Sequence, residues 1–332
     1  MAQKKLLDAW VAALEGREDD IPEFYGADFN PLETLGEPVQ NSGKIAEDTK
    51  EEPYILAPKK MNLWKIFRFV INMIWSLLID RVEEARIAII PAPVFADLKA
   101  QALRDLSSVP SSTLVKHNSD PSKPFLSDSD VLGAWWIRQI VTAQPNSSSF
   151  SPTKTIQIMN VFDMRDILTK TTPALLHPNT AFIGNCNIVS SSFFSFRDFI
   201  TLPLGRIAAR IRSDLVAQTT RAQVDANMRL IRPSMLKSGY PPLYGEADMM
   251  YCPFSNWHKG NVFETDFGAA VVGGERVVAK PTYASADGKS VGISMRNTGT
   301  CMGRDSNGHW WVGSVMTPAA WAGVEKAFQA LR

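Results

Sequence analysis

Phe254-Ser-Asn-Trp-His-Lys-Gly-Asn-Val-Phe-Glu-Thr-Asp-Phe-Gly268 is the most informative stretch of this chain. A small polar cluster with a tryptophan is followed by an alternating apolar run and then by Asp266-Phe267-Gly268. Gly268 permits a tight turn or a close backbone approach, and the alternation of Val262 to Phe267 predicts a strand leading into it.

Working outward, further strands are predicted at Thr155–Phe162, Thr180–Ser190, Met249–Phe254, Gly292–Met295 and Trp310–Met316, with Arg86–Ile90 closed by Pro91. Helical spacing marks Leu6–Leu14 (ended by Gly16), 62–79, 95–106 and 127–141, where Ser127 or Asp128 caps a face of Val131, Leu132, Trp135, Trp136 and Ile140. Leu204–Leu215 and a last helix opened by Pro318 follow. Strands and helices interleave, which predicts an α/β layered fold. Residues 37–60 read as a polar surface excursion. The Pro145–Pro152 stretch, with Asn-Ser-Ser-Ser, reads as a linker and places a domain boundary at 145–153.

Composition excludes several classes. The chain has 332 residues, 45% of them hydrophobic, enough to bury a large core. Its 35 basic residues against 34 acidic give +1, with no sign of a nucleic-acid surface. Cys186, Cys252 and Cys301 form no Cys-x-x-Cys, so neither a zinc site nor a disulfide framework is expected, and a reducing, cytoplasmic location fits. The first residues, with basic side chains but no apolar core before Asp8, are not expected to act as a secretory signal. The most apolar run, Phe69–Ile79, is too short to span a bilayer and is expected to be a buried amphipathic helix. No Gly-x-Ser-x-Gly, phosphate-binding glycine loop or metal-ligand cluster is present.

The ordered set of motifs resembles the BAHD acyl-CoA-dependent acyltransferases, in particular their fungal trichothecene 3-O-acetyltransferase-like branch. Leu6-Leu7-Asp8-Ala9-Trp10 resembles the helix after the family's His-x-x-x-Asp. Asp28-Phe29-Asn30-Pro31-Leu32 resembles a turn of the fungal members. Ile90-Pro91-Ala92 with Leu98-Lys99 resembles a strand–helix unit, and Ser127 to Arg138 the helix before the crossover. Phe162-Asp163-Met164-Arg165 resembles Val-Asp-x-Arg, and Phe182-Ile183-Gly184-Asn185 resembles Tyr-Phe-Gly-Asn. Ser255, Trp257 and Asp266-Phe267-Gly268 complete the set. Where the family's pattern continues Asp-Phe-Gly-Trp-Gly, this sequence has Ala269-Ala270 after Gly268.

The resemblance implies a chloramphenicol acetyltransferase-like two-domain fold: a partial N-terminal domain over 1–144 and a C-terminal domain over 154–332. It implies acyl-CoA, acetyl-CoA first, as co-substrate and a hydroxylated fungal secondary metabolite as acceptor, with no bound cofactor. Ser255, Asn256 and Trp257 fall on the acyl-CoA channel. Asp163, Arg165, Gly184, Asn185, Asp266, Phe267 and Gly268 are assigned structural roles, with Asp163, Arg165 and Asp266 expected in one buried charge network.

Acyl transfer to an alcohol needs a base for the hydroxyl proton, and in this family it is the histidine of His-x-x-x-Asp. The sequence holds no such motif, and Leu6–Trp10 sets Met1 just after the place where it would end. A shortened reading frame is therefore one expectation. His117-Asn118-Ser119-Asp120 misses the spacing by one in a Ser/Pro loop. His177 and His309 read as turn and strand-start residues. His258, inside the motif, is the substitute to consider. Two functions follow: an O-acyltransferase, or an inactive homologue that binds a ligand or partner. Exposed apolar area is expected around residues 62–90, which would favour association in a family of monomers.

Overall fold

The alternating segments assemble into one mixed sheet, seen in a computed structural model that describes residues 2–37, 52–117, 120–172, 175–177, 179–274, 276–285 and 296–329. The chain runs α1 (Ala2–Leu14), α2 (Leu63–Ile79), β1 (Glu84–Ile90), α3 (Ala92–Asp105), β2 (Lys116–His117), β3 (Asp120–Pro124), α4 (Asp128–Thr142), β4 (Thr155–Asp163), α5 (Arg165–Thr171) and β5 (Asn187–Ser195). It continues through α6 (Phe196–Thr201), α7 (Leu204–Gln218), α8 (Arg221–Ser238), β6 (Met250–Asn256), β7 (Thr298–Arg304), β8 (Trp310–Met316) and α9 (Pro318–Gln329).

Six strands pair in the order β1-β8-β7-β6-β4-β5. The centre is parallel, β4 with β6 and β6 with β7, while β4–β5, β7–β8 and β1–β8 are antiparallel. The carboxyl ends of β4, β6 and β7 therefore open at one end of the sheet, where α/β folds place ligand crevices.

The principal core draws on both sides of residues 145–153. Ile90, Phe95 and α4 pack with Ile156, Ile158, Phe199, Ile207, Trp310 and Trp321. Helix α4 is its axle: Asp130 through Ile137 are all buried. Ser127 and Asp130 cap its start reciprocally in a capping box. Trp136 donates its indole N–H to Ser314 Oγ at 2.7 Å, which satisfies the ring's polar edge inside the core. Helices α3 and α7 cross so closely that a Cβ at Gly205 would lie 2.0 Å from the Ala102 carbonyl oxygen. A second cluster gathers Leu35, Met164, Leu168, Cys186, Ile188 and Val224.

Several expectations are corrected. The strand read at Thr180–Ser190 starts only at Asn187, because Phe182–Asn185 turns; before it, Ala181 merely bridges Phe24. Val262–Phe267 forms no strand. Asn261 adopts the left-handed conformation (φ 50) and Val262–Glu264 coils into a 3-10 turn. His117 lies in the β2–β3 hairpin, its ring 5.3 Å from Phe125, and not in an irregular loop. Helix α2 stands where helical spacing put it, yet none of its residues is buried. The exposed apolar area expected around 62–90 is present: Trp64, Trp75 and Ile79 are about two-thirds exposed at 64%, 65% and 65%. The Gly292–Met295 strand, Asn118-Ser119 beside His117, and residues 38–51 of the polar excursion lie outside the described residues. No helix among the described residues is long and apolar enough to cross a membrane.

Candidate active site

The site is built where β6 ends. Ser255, Asn256 and Trp257 come together there because each closes a local hydrogen bond. Trp257 Nε1 donates to Ser255 Oγ at 2.8 Å, and the Trp257 amide donates to the Cys301 carbonyl on β7 at 2.8 Å. The Asn256 side-chain oxygen accepts from the His258 amide at 2.8 Å and turns the chain out of the sheet. Ser255 Oγ keeps its own proton to donate.

Asp266 then closes a clasp. Its Oδ1 accepts from the amides of Gly268 (2.9 Å) and Ala279 (2.8 Å), and the Phe267 amide reaches the Ala279 carbonyl at 2.8 Å. These two backbone donors, Ala279 foremost, hold the Asp266 carboxyl below the usual carboxylate range. Gly268 is required for a steric reason, since a Cβ there would sit 1.9 Å from the Val277 carbonyl oxygen.

Asp163 and Arg165 make a separate brace. Arg165 Nη1 meets Asp163 Oδ1 at 2.9 Å, and its other nitrogens donate to the carbonyls of Phe182 and Gly184. The guanidinium also lies over the Phe182 ring at 5.5 Å. Asn185 Oδ1 accepts from the Asn187 amide at 3.2 Å. Where one network was expected, Asp163 pairs with Arg165, while Asp266 has Arg276 at 3.9 Å among the described residues. They sit on different turns, and sequence order does not show which carboxylate meets which cation.

Helix α1 covers the signature. Trp10 meets Phe267 edge-on, and a Cβ at Gly260 would lie 3.3 Å from Gln3 Oε1. A cleft of about 560 Å³ lies between them, lined by Lys5, Asp8, Arg17, Asp20, Asn179 and Asp266.

A second cavity, of about 650 Å³, opens beside His258, Phe263, Met302, Arg304, Asp305 and Asn307. Nothing in the sequence signals it, because it forms between the β7–β8 turn and the segment after β6. Burial, reinforced by Arg304 and opposed by Asp128, pushes the His258 imidazole below its ordinary value and favours its neutral form. Its ring lies 4.9 Å from Trp310, and Arg304 covers that indole at 5.5 Å. Asp305 is consumed by its own turn. Burial works against its charge, but Trp311 Nε1 and the His309 and Asn307 amides lower its carboxyl.

The remaining histidines lie elsewhere. His309 Nδ1 accepts the Ala92 amide at 3.0 Å, starting α3, and His177 packs against Tyr25. The three cysteines are buried, and burial pushes Cys186 up to about 11 and Cys301 up to about 12, so none is a thiolate nucleophile. Among the described residues no group of three His, Cys, Asp or Glu could hold a metal ion.

No family model matches the chain. It is 31% identical over 325 residues to "Transcriptional regulator calD" of Penicillium decumbens, covering 96% of this chain and 60% of that protein. It is 31% identical over 343 residues to "Acetyltransferase adrJ" of Penicillium rubens, covering 100% of this chain and 63% of that one. It is 29% identical over 338 residues to "Acetyltransferase sphE" of Aspergillus fumigatus, covering 98% and 61%. The chain therefore spans about three-fifths of the length of these relatives. Among solved structures, Fusarium graminearum TRI101 complexed with coenzyme A and T-2 mycotoxin superposes with a TM-score of 0.57 over 98% of this chain and 61% of that one, at 12% identity.

Proposed function

We propose that this chain, a member of the fungal BAHD acyltransferases by ancestry and fold, serves an acyl-CoA-dependent O-acyltransferase that moves a small acyl group, acetyl first, to a hydroxyl of a fungal secondary metabolite. The observation that carries this reading is the convergence of Ser255, Trp257 and the Asp266 clasp at the carboxyl ends of the parallel strands, beneath α1. The cytoplasm is the location we propose for it.

In the proposed reaction the acceptor oxygen attacks the thioester carbonyl. A C–O bond forms, the C–S bond breaks, and the hydroxyl proton passes through a base to the CoA thiolate. Ser255, Asn256 and Trp257 wall the acyl path. Asp266 holds the turn beneath it through Oδ1, and its lowered carboxyl makes it a weak base for the hydroxyl proton. Among the described residues His258 is an imidazole that lines a cavity near the path and whose neutral form burial favours. The acid that favours its charged form, Asp128, also pairs with Lys99, and burial and Arg304 outweigh it. Acceleration from His258 alone is therefore small. The regulator name of the calD protein finds no support in a net charge of +1.

Equilibrium dialysis of the 332-residue chain with acetyl-CoA tests the binding half. Saturable binding weakened by Trp257→Ala is expected, and absence of binding overturns the reading. Incubation with acetyl-CoA and a panel of hydroxylated terpenoids, polyketides and alkaloids tests transfer. Slow turnover that falls further in His258→Ala is expected; fast turnover indifferent to His258→Ala removes the role given to that residue.

A further inference from the structure

Helix α2 is apolar nearly all round, but its two flanks are treated differently. Ile66, Phe69, Met73 and Leu77 form a half-buried inner stripe. Polar ties on the same side fix the roll of the helix. Lys65 pairs with Glu246 at 2.8 Å, Asn72 donates to the Ala247 carbonyl at 2.9 Å, and Arg296 donates to Ser76 Oγ at 2.9 Å. Phe69 meets Tyr251 edge-on at 6.3 Å. The opposite face is therefore held outward: Trp64, Phe67, Ile71, Ile74, Trp75 and Leu78 are each between 46% and 65% exposed. At 1.5 Å per residue the stripe runs about 21 Å.

We propose that this face lies flat on an anionic lipid surface. The seventeen residues of α2 include two cations and no acid. Lys65 is engaged by Glu246 and Lys59 lies over the Phe193 ring at 5.0 Å, which leaves Arg68 at the edge of the stripe and exposed Lys60 just ahead of the helix. The nearby acids Glu83 and Glu84 are held by Arg296 and Arg86, and Asp80 stands at the far, C-terminal end. Positive charge thus gathers at the N-terminal half, where it complements lipid phosphates and carboxylates. Tryptophans in the first and last thirds of an outward apolar stripe suit the headgroup boundary, where an amphipathic ring is apolar on its face and polar at its N–H. A second copy fits less well, since two-fold pairing of α2 on α2 brings the Arg68 charges of both copies onto one apolar contact.

Co-sedimentation of the whole chain with phosphatidylcholine vesicles, with and without phosphatidylserine, tests this, together with tryptophan fluorescence. Binding that requires phosphatidylserine and a blue-shifted emission are expected. Lys60→Gln and Arg68→Gln should each weaken binding about fivefold. The double variant Trp64→Ser/Trp75→Ser should abolish it while keeping the far-ultraviolet circular dichroism of the parent. Absent binding, or binding indifferent to phosphatidylserine and to both tryptophans, overturns the proposal. So does a concentration-dependent dimer in sedimentation velocity that disappears in the tryptophan variant, which would assign the face to a second copy.

Discussion

Trp10 of α1 meets Phe267 of the Asp-Phe-Gly turn edge to face, with ring centroids 5.4 Å apart and planes at 69°. Residues more than 250 positions apart in sequence thus share one contact, and through it the first helix rests on the signature.

A double-mutant cycle on Trp10→Ala and Phe267→Ala should return a coupling of about 0.5 kcal/mol, the low end for aromatic pairs because Trp10 is 57% exposed. Urea unfolding of the parent, both single variants and the double variant measures it. Strict additivity would mean that α1 does not depend on this contact.

Gly268→Ala should open the clasp. Its new Cβ meets a backbone carbonyl and not a movable side chain, so the cost is roughly 1–3 kcal/mol, as for other overpacked sites. Limited proteolysis reports it as faster cleavage within 268–285. The Asp266 carboxyl carries a sign of its own. Its folded value is depressed, so the stability it contributes is present above the unfolded value and is lost as pH falls through the folded one.

Arg212→Met should be among the most damaging single changes. Asp130 is 3% exposed, and burial pushes its carboxyl up although Arg212 and Ser127 pull it down. Arg212 donates to Asp130 Oδ2 at 2.7 Å, so its loss strands a buried carboxylate beside the α4 cap, at a cost of about 3–5 kcal/mol. Chemical denaturation measures the loss, and a drop near zero would contradict the buried-pair geometry.

The imidazole of His258 should titrate below pH 6.5 in an NMR experiment, because burial and Arg304 both oppose its charged form. Its folded value is lowered, so the unfolded chain takes up the proton first. The stability linked to it is complete above the unfolded value and is lost as pH falls from there toward the folded value. In Arg304→Gln the titration should move up toward 6.5. An unchanged midpoint would show that Arg304 does not act on the ring.

Local pattern made some elements readable and hid others. Strand β8 appears where alternation put it, because it buries one set of alternating side chains, and β4 appears there too although Ile156, Gln157 and Ile158 are buried in succession. Helix α4 announces itself by its cap and its tryptophans. Helix α8 escapes reading because its buried residues are Gln223, Val224, Ala226 and Asn227, which form no apolar stripe, and Pro233 interrupts it. The α2 periodicity is that of a helix and carries no information about what covers it. Val262–Phe267 alternates like a strand, but Asn261 in the left-handed conformation starts a coil there that only packing selects.

The sequence by itself determined the ancestry, the α/β class and the turn residues of the signature, because glycine, asparagine and aspartate act through bonds a few residues away. Tertiary structure alone decided which charges meet. Asp266 is bound by the Ala279 amide, and Asp130 takes Arg212 from eighty-two positions away. It also decided that α2 turns its apolar face outward and that a cavity opens beside His258. Such pairings depend on how elements dock, and docking follows from burial summed over the whole core rather than from any local run of residues.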